Sequence, residues 1–374
     1  MKSVLLEFLS TDKETLIFVI RQDWQEKGII DSQPLVFKAN FNEADVDICV
    51  KEIRALYNEW GKKHYAADYV DKIKLEDRTS FYTIGEKIFN LQLMQSIEGY
   101  ELIYFVPFSA LHHLPLHAMK YQNKEIIDNF ACSYLPSASI LQFCNKSKER
   151  PTTFNLKGIG VDATCLRGVF ISEVSELEKL TYFDKKKIYK EINGTRENFF
   201  LNNKKFNILH CSSHGYIAED PLKSGIVLYV PEKLRPHLSI DSIHNTLNEN
   251  SMDLLKESII NVHDLIKLNG SFELVFISAC VSGENKNEMG DELMGLSRGL
   301  FYSGTKSMIL SLFTAFKNKT GDPRVKGHVK EFYRFWIDEK QDKAKAFQNY
   351  IKILKKDEDH PFYWFSYILI GNPY

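Results

Sequence analysis

Two kinds of stretch alternate along the chain. Short, nearly continuous apolar runs, suited to strands buried on both faces, recur at 3–9, 15–20, 35–39, 101–106, 155–161, 206–210, 225–229, 272–279, 307–312 and 367–370. Between them, residues 43–60, 78–98, 291–302 and 325–338 carry apolar positions at helical spacing. Strands separated by helical crossovers predict an α/β chain with a mostly parallel central sheet flanked by helices. No period of 20 to 50 residues recurs, so a solenoid or propeller is not expected.

The first three strands read as a hairpin-like opening, followed by a Lys- and Asp-rich surface connection at 62–78. At 145–151 Lys, Ser, Glu and Arg crowd ahead of Pro151 before the apolar pattern restarts, which divides the chain into 1–150 and 151–374. The polar, Asn-rich segment 230–258 reads as a long loop, regulatory, substrate-contacting or merely solvated.

Composition narrows the function classes. With 44% hydrophobic and 26% charged residues, 19 glycines and 11 prolines in 374 positions, the chain is globular rather than disordered. Lys plus Arg 48 against Asp plus Glu 49 leaves no basic footprint for a nucleic acid. No 18 consecutive residues are apolar, so no membrane span is expected, and Glu7 breaks the N-terminal apolar run, which makes a poor signal peptide. Six cysteines, Cys49, Cys132, Cys144, Cys165, Cys211 and Cys280, stand without a CxxC pair. That argues against a zinc ribbon or a secreted disulfide framework and predicts a reducing, cytoplasmic setting.

Two apolar runs end on residues with chemistry. Phe206-Asn-Ile-Leu-His210-Cys-Ser-Ser-His214-Gly215 ends on an imidazole and a glycine suited to a sharp turn. Phe272-Glu-Leu-Val-Phe-Ile-Ser-Ala-Cys280-Val-Ser-Gly283 ends on a thiol. Parallel strands joined by a crossover put their carboxyl ends on one sheet edge, where open α/β folds bind ligands. His214 and Cys280, 66 residues apart, would then face one crevice in the caspase order of base before nucleophile. The imidazole can take the thiol proton and return it to a leaving amine. Backbone N–H groups of Gly215 and Cys280 are candidates for the oxyanion, at about 3 kcal/mol per donor. Asp291 and Glu284, near the nucleophile in sequence, are candidates for a substrate pocket, and helix capping or solvent exposure explains them equally well.

Other readings stay open at this level. A cysteine ending a buried strand is often an inert small hydrophobe. His210, Cys211, His214 and Cys280 together are a possible zinc set, although Cys211 falls on the strand face opposite the histidines. Gly295-Leu-Ser297-Arg-Gly299 matches the serine-hydrolase elbow in letters, but its surroundings read as a helix rather than a strand end. The cluster His112-His113-Leu-Pro-Leu-His117 reads as structural.

The ordered set of motifs resembles the CHAT family of caspase-like peptidases, related to caspases and separases. Leu209-His210-Cys-Ser-Ser-His214-Gly215 is similar to the family's Leu-His-x-x-x-His-Gly, and Ile277-Ser-Ala-Cys280-Val-Ser-Gly283 to its Leu-Ser-Ala-Cys-x-x-Gly. Gly290-Asp291 through Gly304, and His360-Pro361 through Pro373, are similar to the family's later signatures. Val106-Pro107 through Leu116 and Tyr134-Leu-Pro136-Ser-Ala-Ser139 are similar to its first half. The resemblance implies a non-catalytic caspase-like first half over 1–150 and a peptidase half over 151–374, with His214 as base and Cys280 as nucleophile. It further implies a cysteine endopeptidase without cofactor or metal, acting on a protein substrate, a gasdermin-like pore former among them, in bacterial defence or programmed death. The tetratricopeptide array of many relatives is absent here, which predicts a separate activator or sensor protein. A catalytically silent binding module and, behind it, a zinc-dependent hydrolase are the competing readings.

Overall fold

The computed structural model describes residues 1–21, 33–63, 75, 79–144, 150–162, 169–216, 221–237, 255–280, 291–312, 328–357 and 361–374. The chain forms two compact units, one of Met1–Phe143 with Asp342–Phe365 and Pro373, the other of Cys144–Gln341 with Ser366–Asn372 and Tyr374.

The first unit is built on β1 (Ser3–Ser10), β2 (Thr15–Arg21), β3 (Leu35–Ala39), β4 (Leu102–Val106) and β5 (Ala131–Tyr134), in the order β5-β4-β1-β2-β3. The strands β1, β4 and β5 are parallel, and β2 and β3 fold back antiparallel. Every residue of β4 and β5 is buried, which is why Leu-Ile-Tyr-Phe-Val shows no alternation. Its helices include α1 (Glu43–Lys63), α2 (Phe81–Ile88) and α3 (Leu91–Ser96). The single helix expected over 78–98 is two, because the Asn90 side chain accepts the Leu93 N–H at 3.0 Å and starts a new helix there. Helix Lys343–Asp357 also packs in this unit, with Lys355 paired to Glu125 at 2.8 Å and Gln348 donating to the Ile127 carbonyl at 2.8 Å. His117, fully buried, makes a 2.9 Å contact through Nδ1 with the Tyr134 hydroxyl, and burial lowers its imidazole to about 3, so it is a neutral core group.

The second unit holds β6 (Asn155–Gly160), β7 (Lys185–Lys190), β8 (Ile208–Tyr216), β9 (Gly225–Val227), β10 (Ile259–Asn261), β11 (Leu274–Cys280), β12 (Ser307–Ser311) and β13 (Tyr367–Gly371). Its sheet runs β10-β9-β8-β11-β12-β13, and β6 pairs with both β8 and β7. The strands β7, β6, β8, β11 and β12 are mutually parallel, whereas β9, β10 and β13 run antiparallel to their neighbours. Its helices include α4 (Val169–Lys179), α5 (Arg196–Phe200), α6 (Val262–Ile266), α7 (Asp291–Tyr302) and α8 (His328–Tyr333), the last continuing as a π-helix over Arg334–Asp338. The sheet of mostly parallel central strands flanked by helices is the architecture expected from the apolar runs.

Two features fix α4 against this sheet. Phe170, Val174 and Leu177 recur at i, i+4 and i+7 and are all buried. Gly160 supplies the space, since a methyl there would overlap Val174 Cγ2 and stand 3.0 Å from the Phe170 carbonyl oxygen. Elsewhere, Lys157 is fully buried and its Nζ donates to the carbonyls of Asn198 (3.1 Å), Phe199 (3.2 Å) and Leu201 and to Asn203 Oδ1, capping the C-terminal end of α5. Arg196 joins α5 to α6 through a bidentate pair with Asp264, one arm at 2.7 Å.

Candidate active site

The parallel strands β6, β8, β11 and β12 bring their carboxyl ends to one edge of the second sheet, and the two residues singled out by their chemistry meet there. His214 on β8 is the register partner of Cys280, the last residue of β11. Adjacent partners in a parallel ladder fall on the same face of the sheet, so the two positions share a face as well as an edge. His214 is 4% exposed, and the Phe170 ring from α4 meets its imidazole edge to face with centroids 4.8 Å apart.

One local expectation is corrected. Gly215 does not make a turn: β8 continues through Tyr216 because β9 adds to its far end, pairing His214 with Val227, Gly215 with Ile226 and Tyr216 with Gly225. The orientation of its peptide follows from two bonds. Ser212 accepts the Val161 N–H, so the even residues of β8 face the β6 and β9 flank; Leu228 donates to Ser258, so residues 225 and 227 of β9 face β8. Strand alternation then directs the Gly215 N–H toward the flank of β11, the strand that ends at Cys280.

Four residues before His214 on the same strand face, His210 is fully buried and uses both ring nitrogens. Nε2 stands 2.9 Å from Glu173 Oε1 and Nδ1 3.0 Å from the Tyr333 hydroxyl. Ser278 Oγ donates to the other oxygen of Glu173 at 3.3 Å. Burial pushes the Tyr333 hydroxyl well above the usual phenol range, so it keeps its proton beside the imidazole. His210 is thereby held in the core rather than offered to a metal, and Cys211 is buried, on the alternate face of β8. Among the described residues no group of three or more His, Cys, Asp or Glu side chains is disposed to hold a metal ion.

The remaining candidates fall as follows. Asp291 is the first residue of α7, and Glu284 lies outside the described residues, as do the loop 281–288, His360 and most of the 230–258 segment. Ser297 is buried within α7, so the elbow-like letters around it lack the strand that an elbow needs. Phe170, Glu173 and Tyr333 were not anticipated. The i, i+4, i+7 spacing of Phe170, Val174 and Leu177 was there to be read, but nothing local pairs Glu173 with His210, 37 residues on.

No helix among the described residues is long and apolar enough to cross a membrane. No curated protein sequence matches the chain. Two crystal structures of the Saccharomyces cerevisiae separase–securin complex are similar in fold, with TM-scores of 0.57 and 0.56 at 9% and 8% identity. Each comparison covers 100% of this chain and 30% of the other, so the chain spans under a third of the length of those it resembles. The sequence signature of the CHAT domain matches residues 83–372, and with more than three quarters of its length in that match the chain belongs to the CHAT domain family.

Proposed function

We propose that the protein is a cysteine endopeptidase in which His214 is the general base and Cys280 the nucleophile. The observation that carries this reading is the register of β8 and β11, which sets an imidazole-bearing residue and a thiol-bearing residue side by side at the carboxyl edge of the sheet. A free thiol is only a few per cent thiolate at neutral pH, and an imidazole close by is what makes it a competent nucleophile.

In this mechanism His214 accepts the Cys280 proton and the thiolate attacks the scissile carbonyl carbon. The oxyanion that forms is met by backbone N–H groups at the strand ends, for which the direction of the Gly215 peptide is suited. The C–N bond breaks, the imidazolium returns its proton to the departing amine, and the acyl group remains on sulfur as a thioester. Water, deprotonated by His214, then attacks the thioester, releasing the acid and the thiol. Neither metal nor organic cofactor enters the cycle. We place the substrate among proteins, with a gasdermin-like pore former as the case suggested by the family's defence setting, and control in the hands of a separate activator protein.

The deciding experiment is a search for cleaved peptide bonds in a whole proteome treated with the wild-type chain, with and without the proteins encoded beside it. New termini made by wild type and missing with Cys280→Ala and with His214→Ala are the expected result. Termini that persist with Cys280→Ala would exclude it as the nucleophile, and none under any condition would leave a binding module as the better reading.

A further inference from the structure

Helix α4 presents an apolar face to the sheet with one carboxylate in it. Phe170, Val174 and Leu177 are buried hydrophobes, and Glu173, one turn after Phe170, has a side chain only 11% exposed. A carboxylate on such a face is tolerated only with partners, and its partners include His210 Nε2 at 2.9 Å and Ser278 Oγ at 3.3 Å. The far side of His210 is closed by the Tyr333 hydroxyl at 3.0 Å. Glu173 and Phe170 therefore address the same strand at two points: the carboxylate engages His210, and the phenyl ring lies against His214, four residues further along the same face. Gly160 lets the helix come close enough for both.

We propose that Glu173 and His210 are positioning residues for His214: the Ser278–Glu173–His210–Tyr333 network pins α4 so that Phe170 holds the His214 ring in one orientation. The inference rests on the reading of His214 as the general base. The link from this network to His214 runs through Phe170 on α4, so the network acts through the placement of a ring. An imidazole whose ring is not held in one orientation would lose the alignment that proton transfer needs, where about 1 Å of displacement can cost a hundredfold in rate.

The test uses the full chain with histidines isotopically labelled and the His214 ring resonances assigned by their loss in His214→Asn. Because Phe170 meets this ring edge to face, its aromatic ring current reports their relative geometry. Glu173→Gln, Tyr333→Phe and Phe170→Leu should each move the His214 ring-proton resonances. They should lower kcat about tenfold or more while leaving KM unchanged. In a Phe170→Leu background, Glu173→Gln should add nothing, since the first change has already removed the contact through which the second acts. Circular dichroism and thermal melting identify any variant that fails to fold, and Tyr333→Phe, which removes one oxygen and keeps the ring, is the variant least exposed to that failure.

His214 resonances that stay at their wild-type positions in Glu173→Gln and Tyr333→Phe would overturn the proposal. So would additive effects of Phe170→Leu and Glu173→Gln, which mean independent action. A wild-type chain with no turnover on any substrate, with or without the proteins encoded beside it, would refute the base assignment instead, and the resonance measurements would still decide whether the network orients the ring.

Discussion

His214 and Cys280 occupy the same rung of a parallel ladder, the first on β8 and the second at the last residue of β11. Sixty-six residues of chain separate them, yet the hydrogen bonds of one sheet set their spacing. Neither residue is needed to complete that ladder, which is made by backbone groups. Cys280→Ala and His214→Ala should therefore keep the wild-type melting temperature and circular dichroism while proteolysis falls by roughly 10⁴-fold or more, as expected when one member of a cooperating pair is removed. Turnover by Cys280→Ala at the wild-type rate would exclude it as the nucleophile.

Alkylation should be selective. Burial pushes the Cys49 thiol up to about 12, a hydrogen bond from Ser80 opposing this only in part, and pushes Cys132 higher still. At pH 7.5 a thiol of that kind is ionised in roughly one molecule in ten thousand or fewer, and only the thiolate reacts. Peptide mass spectrometry after brief iodoacetamide treatment should find Cys280 modified well before Cys49, Cys132 or Cys211, with inactivation in step. Early labelling of a buried cysteine with activity retained would contradict this.

Lys157 predicts a stability effect on the alkaline side. Burial lowers its ammonium from the usual lysine value of 10.5 to about 8. Between about pH 8 and 10.5 the unfolded chain then binds more protons at this site than the folded one, so the Lys157 contribution to stability rises with pH across that window. Lys157→Met should remove this rise and, by leaving the carbonyls at the end of α5 without a donor, cost about 1–3 kcal/mol. Denaturant midpoints measured at pH 7, 8, 9 and 10 for both proteins check it, and parallel curves would count against it.

At Gly160 helix α4 packs too close to the sheet for a side chain. Gly160→Ala places a methyl against Val174 and the Phe170 carbonyl, and should destabilise the protein by about 1–3 kcal/mol as α4 moves outward. Because Phe170 moves with the helix, His214 should be disturbed as well, so kcat should fall in molecules that remain folded. A variant with native stability and native turnover would mean that the helix is not held as tightly as its contacts indicate.

The apolar runs carried much of the fold. Residues 307–312 and 367–370 come within a residue of β12 and β13, because strands buried on both faces need uninterrupted hydrophobes whatever surrounds them; residues 35–39 form β3 over those same positions although Leu35 and Val36 are exposed on it. Strands without that signature are not legible in the sequence. β7 reads Lys-Lys-Lys-Ile-Tyr-Lys and has a single strand neighbour, β6; lysines at a sheet edge mask the apolar pattern while discouraging further pairing. β5, at four residues, is too short to show a period. Helix Lys343–Asp357 lies late in sequence but packs with the first unit, a placement that depends on contacts such as Lys355 with Glu125, 230 residues away, and not on any local pattern.

For the site, the sequence by itself pointed to an imidazole and a thiol at the ends of apolar runs, His214 and Cys280, as candidates for chemistry. Its local signals are strand period and residue type, and these are enough to put Cys280 at a strand end and His214 close to one. Only the tertiary structure decided that the two strands are neighbours in register, that Gly215 belongs to a ladder extended by β9, and that His210 is a core residue satisfied by Glu173 and Tyr333. Tyr333 lies 123 residues from His210, and a hydrogen bond formed across that separation leaves no trace in either local sequence. It exists because burying an imidazole, a carboxylate and a phenol together costs least when each answers the others, and that condition is met only once the helices have closed on the sheet.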